Sequence, residues 1–330
     1  MTRAQARTIA LRLAQAPLVI LAVYVVTFLL AWALPGSAAM DADGRQPPPQ
    51  VVEALEQRYH LDNPWRFGAE YLAGATGLRW AAAKISGDEW PRGRPVFDLG
   101  PSMRYADWTV NEILAGSLPV SATLGLLAIA IALVIGLTAG VVGGVRPGSV
   151  GDGASLVVAL VGVSLPSFVV GTLLMIVFPV WLGWGRVASW GSPADAILPA
   201  LTLSLPFAAY IARLTRMGMI EAMASDYVRT ARAKGVPERD IVLKHALKNA
   251  FLPVLSYLGP ATAFAMTGSF VVERVFNVPG VGQHFVAAVL NRDLFLLMGV
   301  VLVYATMLVV FNLAVDLLAG VVDPRIRSAG

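Results

Sequence analysis

The chain contains no cysteine in its 330 residues, so disulfides, Fe–S clusters and thiol catalysis are excluded together. Histidine is nearly as scarce: His60, His245 and His284 stand far apart and offer no metal-ligand spacing. Charged residues make up only 14%, where soluble domains carry about a quarter. Residues 113–145, 154–185, 251–272 and 294–315 contain no Asp, Glu, Lys or Arg. Proton-coupled and many ion-coupled transporters need ionisable groups inside the membrane to bind and release the driving ion. Here the candidates, Asp195, Arg213, Glu273 and Asp316, stand only at the ends of apolar runs, where they read as interfacial residues. No glycine-rich phosphate loop ending in Gly-Lys-Ser/Thr occurs, which disfavours a self-driven pump. His-Glu-x-x-His is absent, and the apolar runs hold no Ser/His pair and no paired Asp, so catalysis is not expected. Work done by such a chain must be driven from outside it.

What is present is apolar sequence, 57% hydrophobic with a mean hydropathy of +0.68, which makes membrane the first class to test. The net charge of +4 is small and gathers on one basic loop, so nucleic acid is not implied. After a basic start (Arg3, Arg7, Arg12), residues 14–34 form a first apolar run. Its core is long for a signal peptide, and only Ser37-Ala38-Ala39 offers a cleavage site, so it reads as an uncleaved span. Five further runs, at about 118–142, 154–182, 196–214, 251–272 and 294–317, are each near or above the ~20 residues that cross a bilayer core. Six spans put both termini on one side. The basic N-terminus, Arg146, the 213–248 stretch and Arg325/Arg327 share a face, and the positive-inside rule places that face in the cytoplasm. The expected organisation is an N-terminal tail and first span (1–34), an extracytoplasmic cap (35–112), a five-helix domain (113–318) with a cytoplasmic loop at 218–250, and a cytoplasmic tail (319–330). Within the cap, 51–59 is helix-like and 74–101 loop-like; Trp65, Tyr71 and Leu72 favour an ordered cap over a disordered segment.

The stretch 225–253, SDYVRTARAKGVPERDIVLKHALKNAFLP, is a charged, helix-forming segment between two apolar runs. It predicts two short helices. Asp226 caps the first, Gly235 ends it in the left-handed region, and Pro237 opens the second. Glu238 and Asp240 lie near the second helix's positive end and Lys244, His245 and Lys248 near its negative end. Leu243, Leu247 and Ala250 form its apolar stripe. A basic amphipathic hairpin of this kind suits two roles equally on physical grounds: resting on anionic lipid, or docking a partner. Pro166, Pro199, Pro206, Pro253 and Pro260 interrupt the apolar runs, with Ser164, Ser167, Thr202, Ser204, Ser256, Thr262, Thr267 and Ser269 near them. Small hydroxylated residues permit close helix packing and equally suit the lining of a polar path.

DYVRTARAKG followed by KHALKNAFLP resembles the cytoplasmic loop of inner-membrane permease subunits of bacterial ABC importers, in the dipeptide/oligopeptide (DppB/OppB-type) branch. The superfamily motif runs Glu-Ala-Ala, three residues, Gly, nine residues, Ile-x-Leu-Pro. Counted from Gly235, it falls on Arg229, Thr230 and Ala231, then His245, Leu247 and Lys248; Ala231, Gly235 and Leu247 match, and the peptide branch departs in the same way. LPG at 34–36, LDNP at 61–64, FDLGPSMRY at 97–105, VPGVGQHFVAAVLNRDLFLLMG at 278–299 and NLAVDLLAGVVDPRIR at 312–327 resemble the same branch, whereas about 75–95 fits poorly and reads as an insertion.

The resemblance implies an all-α polytopic protein with six transmembrane helices, the type I ABC importer transmembrane fold, in the bacterial inner membrane. It implies a permease half-path for di- or oligopeptides. The expected partners are a second homologous permease subunit, two cytoplasmic ABC ATPase subunits or domains, an extracytoplasmic peptide-binding protein and the lipid bilayer. No cofactor is expected on this chain; ATP and Mg belong to the ATPases. The expected ATPase-coupling residues are Asp226, Tyr227, Val228, Arg229, Ala231, Arg232, Gly235 and Leu247, with Ser164, Ser167, Thr202, Ser256, Thr262 and Thr267 along the path. The alternatives are a same-branch permease for a nickel complex, opine or glycosidic compound, and an ion-coupled secondary transporter.

Overall fold

A computed structural model of the protein describes residues 3–33, 49–105, 107–267 and 269–322. Leu34-Pro35-Gly36, Ser37-Ala38-Ala39, Arg325, Arg327 and the side chain of Asp316 lie outside the described residues. The elements are α1 (Arg3–Ala33), α2 (Pro49–Tyr59), α3 (Pro64–Ala75), α4 (Leu78–Ser86), α5 (Val110–Val145), α6 (Val150–Ser164), α7 (Ser167–Met175), a π-helical stretch (Ile176–Trp181) and a 3-10 turn (Pro193–Ala196). They continue with α8 (Ile197–Ala224), α9 (Asp226–Ala233), α10 (Glu238–Asp240), a second π-helical stretch (Ile241–Ala246), α11 (Leu247–Thr267), α12 (Phe270–Phe276), α13 (Val281–Asn291) and α14 (Leu294–Val322). The protein is an all-α polytopic membrane protein: among the described residues five helices are long and apolar enough to cross a membrane, or six if one bent pair counts as a span.

The apolar run at 154–182 is not one straight span. It splits into α6 and α7, bent by 104°. Pro166 is the cause: it disfavours helical backbone at Leu165 and itself takes φ −57°, ψ 135° ahead of α7. Pro206, Pro253 and Pro260, by contrast, stay inside continuous helices. A second difference lies at 74–101, expected as loop, where Leu78–Ser86 forms α4 between two left-handed glycines, Gly77 and Gly87.

The chain divides into two compact units. One comprises 15–119 and 280–306. Its core is aromatic: Tyr24, Phe28, Phe67, Tyr71 and Phe295 are all buried, with ring centroids 5.2 Å apart for Phe67–Phe295 and 6.2 Å for Tyr24–Tyr71. The Tyr24 hydroxyl donates to the Gly68 carbonyl at 2.6 Å. Burial pushes the Tyr71 phenol well above its ordinary range, helped by the charges of nearby acidic groups. Trp65, expected to help order this segment, is instead 74% exposed.

Asp293 ties the unit together. Fully buried, it accepts from the Ser102 hydroxyl (2.5 Å), the Met103 N–H (2.9 Å) and the Arg104 N–H (3.3 Å), and its other oxygen caps α14 through the Leu296 N–H (3.0 Å). Removing the acceptor strands buried donors, at ~1–3 kcal/mol each. Asp293→Ala is therefore expected to lower the thermal unfolding midpoint in detergent by many degrees and Asp293→Asn by less. An Asp293→Ala midpoint equal to that of the parent would contradict this account.

The other unit comprises 1–14, 120–279 and 307–330. α8 is its hub, packing against α6 and α11. Along α5, Gly136, Gly140 and Gly144 repeat every four residues against α8. A Cβ added at Gly140 would lie 2.7 Å from the Ala212 carbonyl oxygen and 2.5 Å from Thr215 Cβ, so the helix backbones approach too closely for any side chain. Two buried carboxylates complete the unit. Asp152 receives Arg216 in two-pronged fashion (2.5 and 2.9 Å), joining α6 to α8. Glu273, expected at an interface, is fully buried and accepts from Ser121 (2.7 Å) and Ser269 (2.5 Å); serine hydroxyls supply the solvation that water would give outside. Asp195 is held by Arg186, while Arg213 is exposed.

Candidate coupling site

α8 ends at Ala224, and the chain turns through Ser225 in extended backbone before α9 begins at Asp226. Ser225 occupies the capping position expected of Asp226, with its own hydroxyl turned back to the Ala222 carbonyl (2.5 Å). Asp226 is the first helical residue, almost wholly exposed and paired loosely with Arg229 (3.3 Å). α9 stops as the sequence predicts. Gly235 takes φ +75°, its N–H bonds the Arg232 carbonyl (3.0 Å) and the Val236 N–H bonds the Ala231 carbonyl (3.1 Å), the paired bonds of a Schellman turn. Across that turn the Arg232 guanidinium grips both oxygens of Glu238 (2.7 and 3.2 Å), which holds its pKa above the ordinary arginine value. The elbow between α9 and the next helix is thus fixed by backbone and side chain together.

The second helix is not a separate short one. α10, the π-helical stretch and α11 run on as a single apolar rod, Glu238–Thr267. Lys244, His245 and Lys248 consequently lie within a helix rather than at its negative end. The apolar stripe differs too: Ile241, Ala246 and Ala250 are buried, while Leu243 is 48% exposed and Leu247 only partly covered. A π turn bonds i to i+5 and inserts one extra residue, so buried positions fall five apart between 241 and 246 and then four apart to 250.

Of the expected coupling residues, Tyr227, Arg229 and Arg232 are exposed, and Ala231 is half-buried. Val228, expected among the contact residues, does not lie on the exposed face of α9. It is fully buried and anchors α9 to the body of the unit, because the one apolar β-branched side chain of a short polar helix turns inward. Tyr227 is steadied by the Asn249 amide, which donates to its hydroxyl at 2.9 Å, a link 22 residues long with no signature in the sequence.

The expected path residues do not share one surface. Thr202 is buried, and Ser164 and Ser256 are exposed, while Ser167, Thr262 and Thr267 are half-buried. The hydroxyls of Thr202, Ser256 and Thr267 bond carbonyls of their own helices, at 2.8, 3.4 and 2.8 Å, and so need no aqueous cavity. Ser167 alone of the six borders a cavity of about 510 Å³ between α7, α8 and α11. Aromatic and proline side chains dominate its wall: Pro206, Phe207 and Tyr210 from α8, Tyr257, Pro260 and Phe264 from α11. The rings of Tyr210 and Tyr257 lie 4.4 Å apart. Tyr210 and Tyr257 were legible only as apolar-run residues.

Residues 132–328, which include the α8–α9–α11 elbow, match the family described as binding-protein-dependent transport system inner membrane component. The chain belongs to this family. Within it, the permease is 40% identical over 304 residues to the oligopeptide transport system permease protein OppB of Salmonella typhimurium, covering 92% of this chain and 93% of that one. It is 38% identical over 308 residues to the dipeptide transport system permease protein DppB of Bacillus subtilis, covering 93% and 94%. These relatives place the permease in the DppB/OppB-type branch of ABC importers. Among solved structures it resembles an inward-facing crystal form of the MetNI methionine ABC transporter (TM-score 0.50, 20% identity, 64% of this chain and 97% of that one), which supports the type I importer fold. Permeases of this family are multi-pass inner-membrane components that work with ABC ATPases and a binding protein.

Proposed function

We propose that this permease is one half of the translocation path of an ATP-driven importer of di- and oligopeptides. The reading is carried by identity of 38–40% over more than nine-tenths of each chain to permeases named for oligopeptide and dipeptide transport. Its partners are a second, similar permease, two cytoplasmic ATPase subunits or domains that hold ATP and Mg, and an external peptide-binding protein. Both termini and the α9 elbow face the cytoplasm, in keeping with the clustering of arginine and lysine there. ATP-driven closure of the ATPases pushes on α9 through exposed Asp226, Tyr227, Arg229 and Arg232. The Schellman turn and the Arg232–Glu238 clasp pass the push into the rod 238–267 without bending. Ala231, Gly235 and Leu247 supply the close fit at the elbow. The aromatic cavity between α8 and α11, with Ser167 at its edge, forms part of the path. Rings and prolines offer broad, sequence-tolerant contact, as a cargo with varied side chains requires.

The test is uptake of a labelled tripeptide into proteoliposomes holding the chain with its partner subunits and binding protein. Uptake that needs internal ATP, stops with vanadate and ignores an uncoupler is the expected result. Uptake abolished by the uncoupler and indifferent to ATP would overturn the reading in favour of an ion-coupled transporter. ATP-dependent uptake of a nickel complex, opine or glycoside in place of peptide would overturn the cargo alone.

A further inference from the structure

Where α5 gives way to α6, the chain leaves its long uncharged stretch at Val145 and meets Arg146. This corner and the start of the 238–267 rod enclose a shallow groove of about 640 Å³. Its floor is apolar, and three of the side chains there are open to the surroundings: Val150 (91% exposed), Val142 (50%) and Leu243 (48%). Its rim carries Arg146 and Arg239, neither of which forms a salt bridge among the described residues, although Arg146 interacts electrostatically with Glu238. Glu238 also borders the groove, but both its oxygens are taken by Arg232. The groove therefore offers two guanidinium groups, neither held in a salt bridge among the described residues, above greasy side chains where an uncharged span ends, and Glu238, gripped by Arg232, offsets Arg146 only in part. Water would leave the valines uncovered, and a soluble anion would leave them so too. A molecule with a phosphate at one end and hydrocarbon at the other satisfies both.

We propose that this groove binds one anionic glycerophospholipid, its phosphate between Arg146 and Arg239 and its acyl chain along Val142, Val150 and Leu243. Because Glu238, Arg239 and Leu243 belong to the rod that follows the α9 elbow, an occupied groove braces the base of the lever whatever solute is carried.

The test is native mass spectrometry of the full chain with its partner subunits in neutral detergent, titrated with palmitoyl-oleoyl phosphatidylglycerol, the matching phosphatidylcholine or inorganic phosphate. One phosphatidylglycerol is expected to bind about 30-fold more tightly than phosphatidylcholine, since each arginine near an anionic headgroup contributes roughly fivefold. R146Q/R239Q is expected to erase that preference, whereas R58Q, in the other unit, leaves it intact. If the double variant fails to fold, Val150→Glu decides: its side chain lies in the open, so the unfolding midpoint holds while phosphatidylglycerol binding falls about tenfold or more. Undiminished binding in either variant would overturn the site. So would competition by inorganic phosphate at equal concentration, or binding seen only when the partner subunits are stripped away and therefore cover the groove.

Discussion

Gly235→Pro is expected to yield a permease that reaches the membrane, assembles with its partners and permits ATP hydrolysis, yet accumulates no peptide. Gly235 sits at φ +75° and donates its N–H to Arg232 at 3.0 Å. Proline is held near φ −65° and has no N–H, so it cannot form this turn. A Cβ at this position would meet no atom within 4 Å, so the effect comes from the backbone alone and stays local. With the turn lost, the Val236–Ala231 bond and the geometry of the Arg232–Glu238 clasp go with it, and α9 swings free of the rod. A graded series separates this from general damage. Asn tolerates the left-handed region and should transport at close to the parental rate; Ala, strained by ~1–2 kcal/mol, should be intermediate, and Pro null. A bulky residue at half-buried Ala231 is expected to resemble Pro. Transport by Gly235→Pro at the parental rate would remove the elbow from the mechanism.

The second large effect is structural. Gly140→Leu is expected to leave little folded permease in the membrane, and even Gly140→Ala to lower the unfolding midpoint markedly. The Cβ of either variant would have to occupy space 2.7 Å from a carbonyl oxygen of α8, where ordinary contact begins near 3.4 Å. Backbone cannot rotate away as a side chain can, so α5 and α8 must separate, at about 3 kcal/mol or more for the larger residue. The control lies on the same helix. A Cβ at Gly116 meets nothing within 4 Å, so Gly116→Ala is expected to be neutral or slightly stabilising, through helix propensity alone. Equal midpoints for Gly116→Ala and Gly140→Ala, measured by thermal unfolding in detergent, would show that the close approach of α5 to α8 does not matter.

The contrast between these two glycines shows what a sequence can and cannot disclose. Gly235 was legible because it ends a polar helix just before Val-Pro, and a left-handed glycine there has a local cause. Gly140 was one small residue among many in an apolar run; only the partner helix gives it meaning. The apolar runs themselves were plain, since length and lack of charge are properties of the chain alone. The break at Pro166 was visible as a proline, but its 104° angle was not, because Pro206, Pro253 and Pro260 remain inside continuous helices. The π turn at Ile241–Ala246 left no mark in composition, and reading 3.6-residue periodicity through it assigned the buried face to Leu243 instead of Ile241. Glu273 was misplaced for a related reason: a carboxylate at the end of an apolar run looks interfacial until Ser121, 152 residues away, is seen to cover it. α4 was hidden by the glycines and prolines around it, although Leu78–Ser86 is itself made of good helix formers.

The knot at Asp293 bears on how the protein is made. Ser102 and Met103 leave the ribosome about 190 residues before the carboxylate that must receive them, and Phe67 and Tyr71 still earlier than the Phe295 ring that closes over them. Translation at ~5–20 residues per second leaves that interval open for about ten seconds or longer. During that time the early helices of this unit have their donors and rings exposed to solvent, lipid or a chaperone. α14 is the keystone of a structure begun by α1, so a nascent chain stalled before residue 293 carries an unfinished unit, ready for quality-control proteases to recognise.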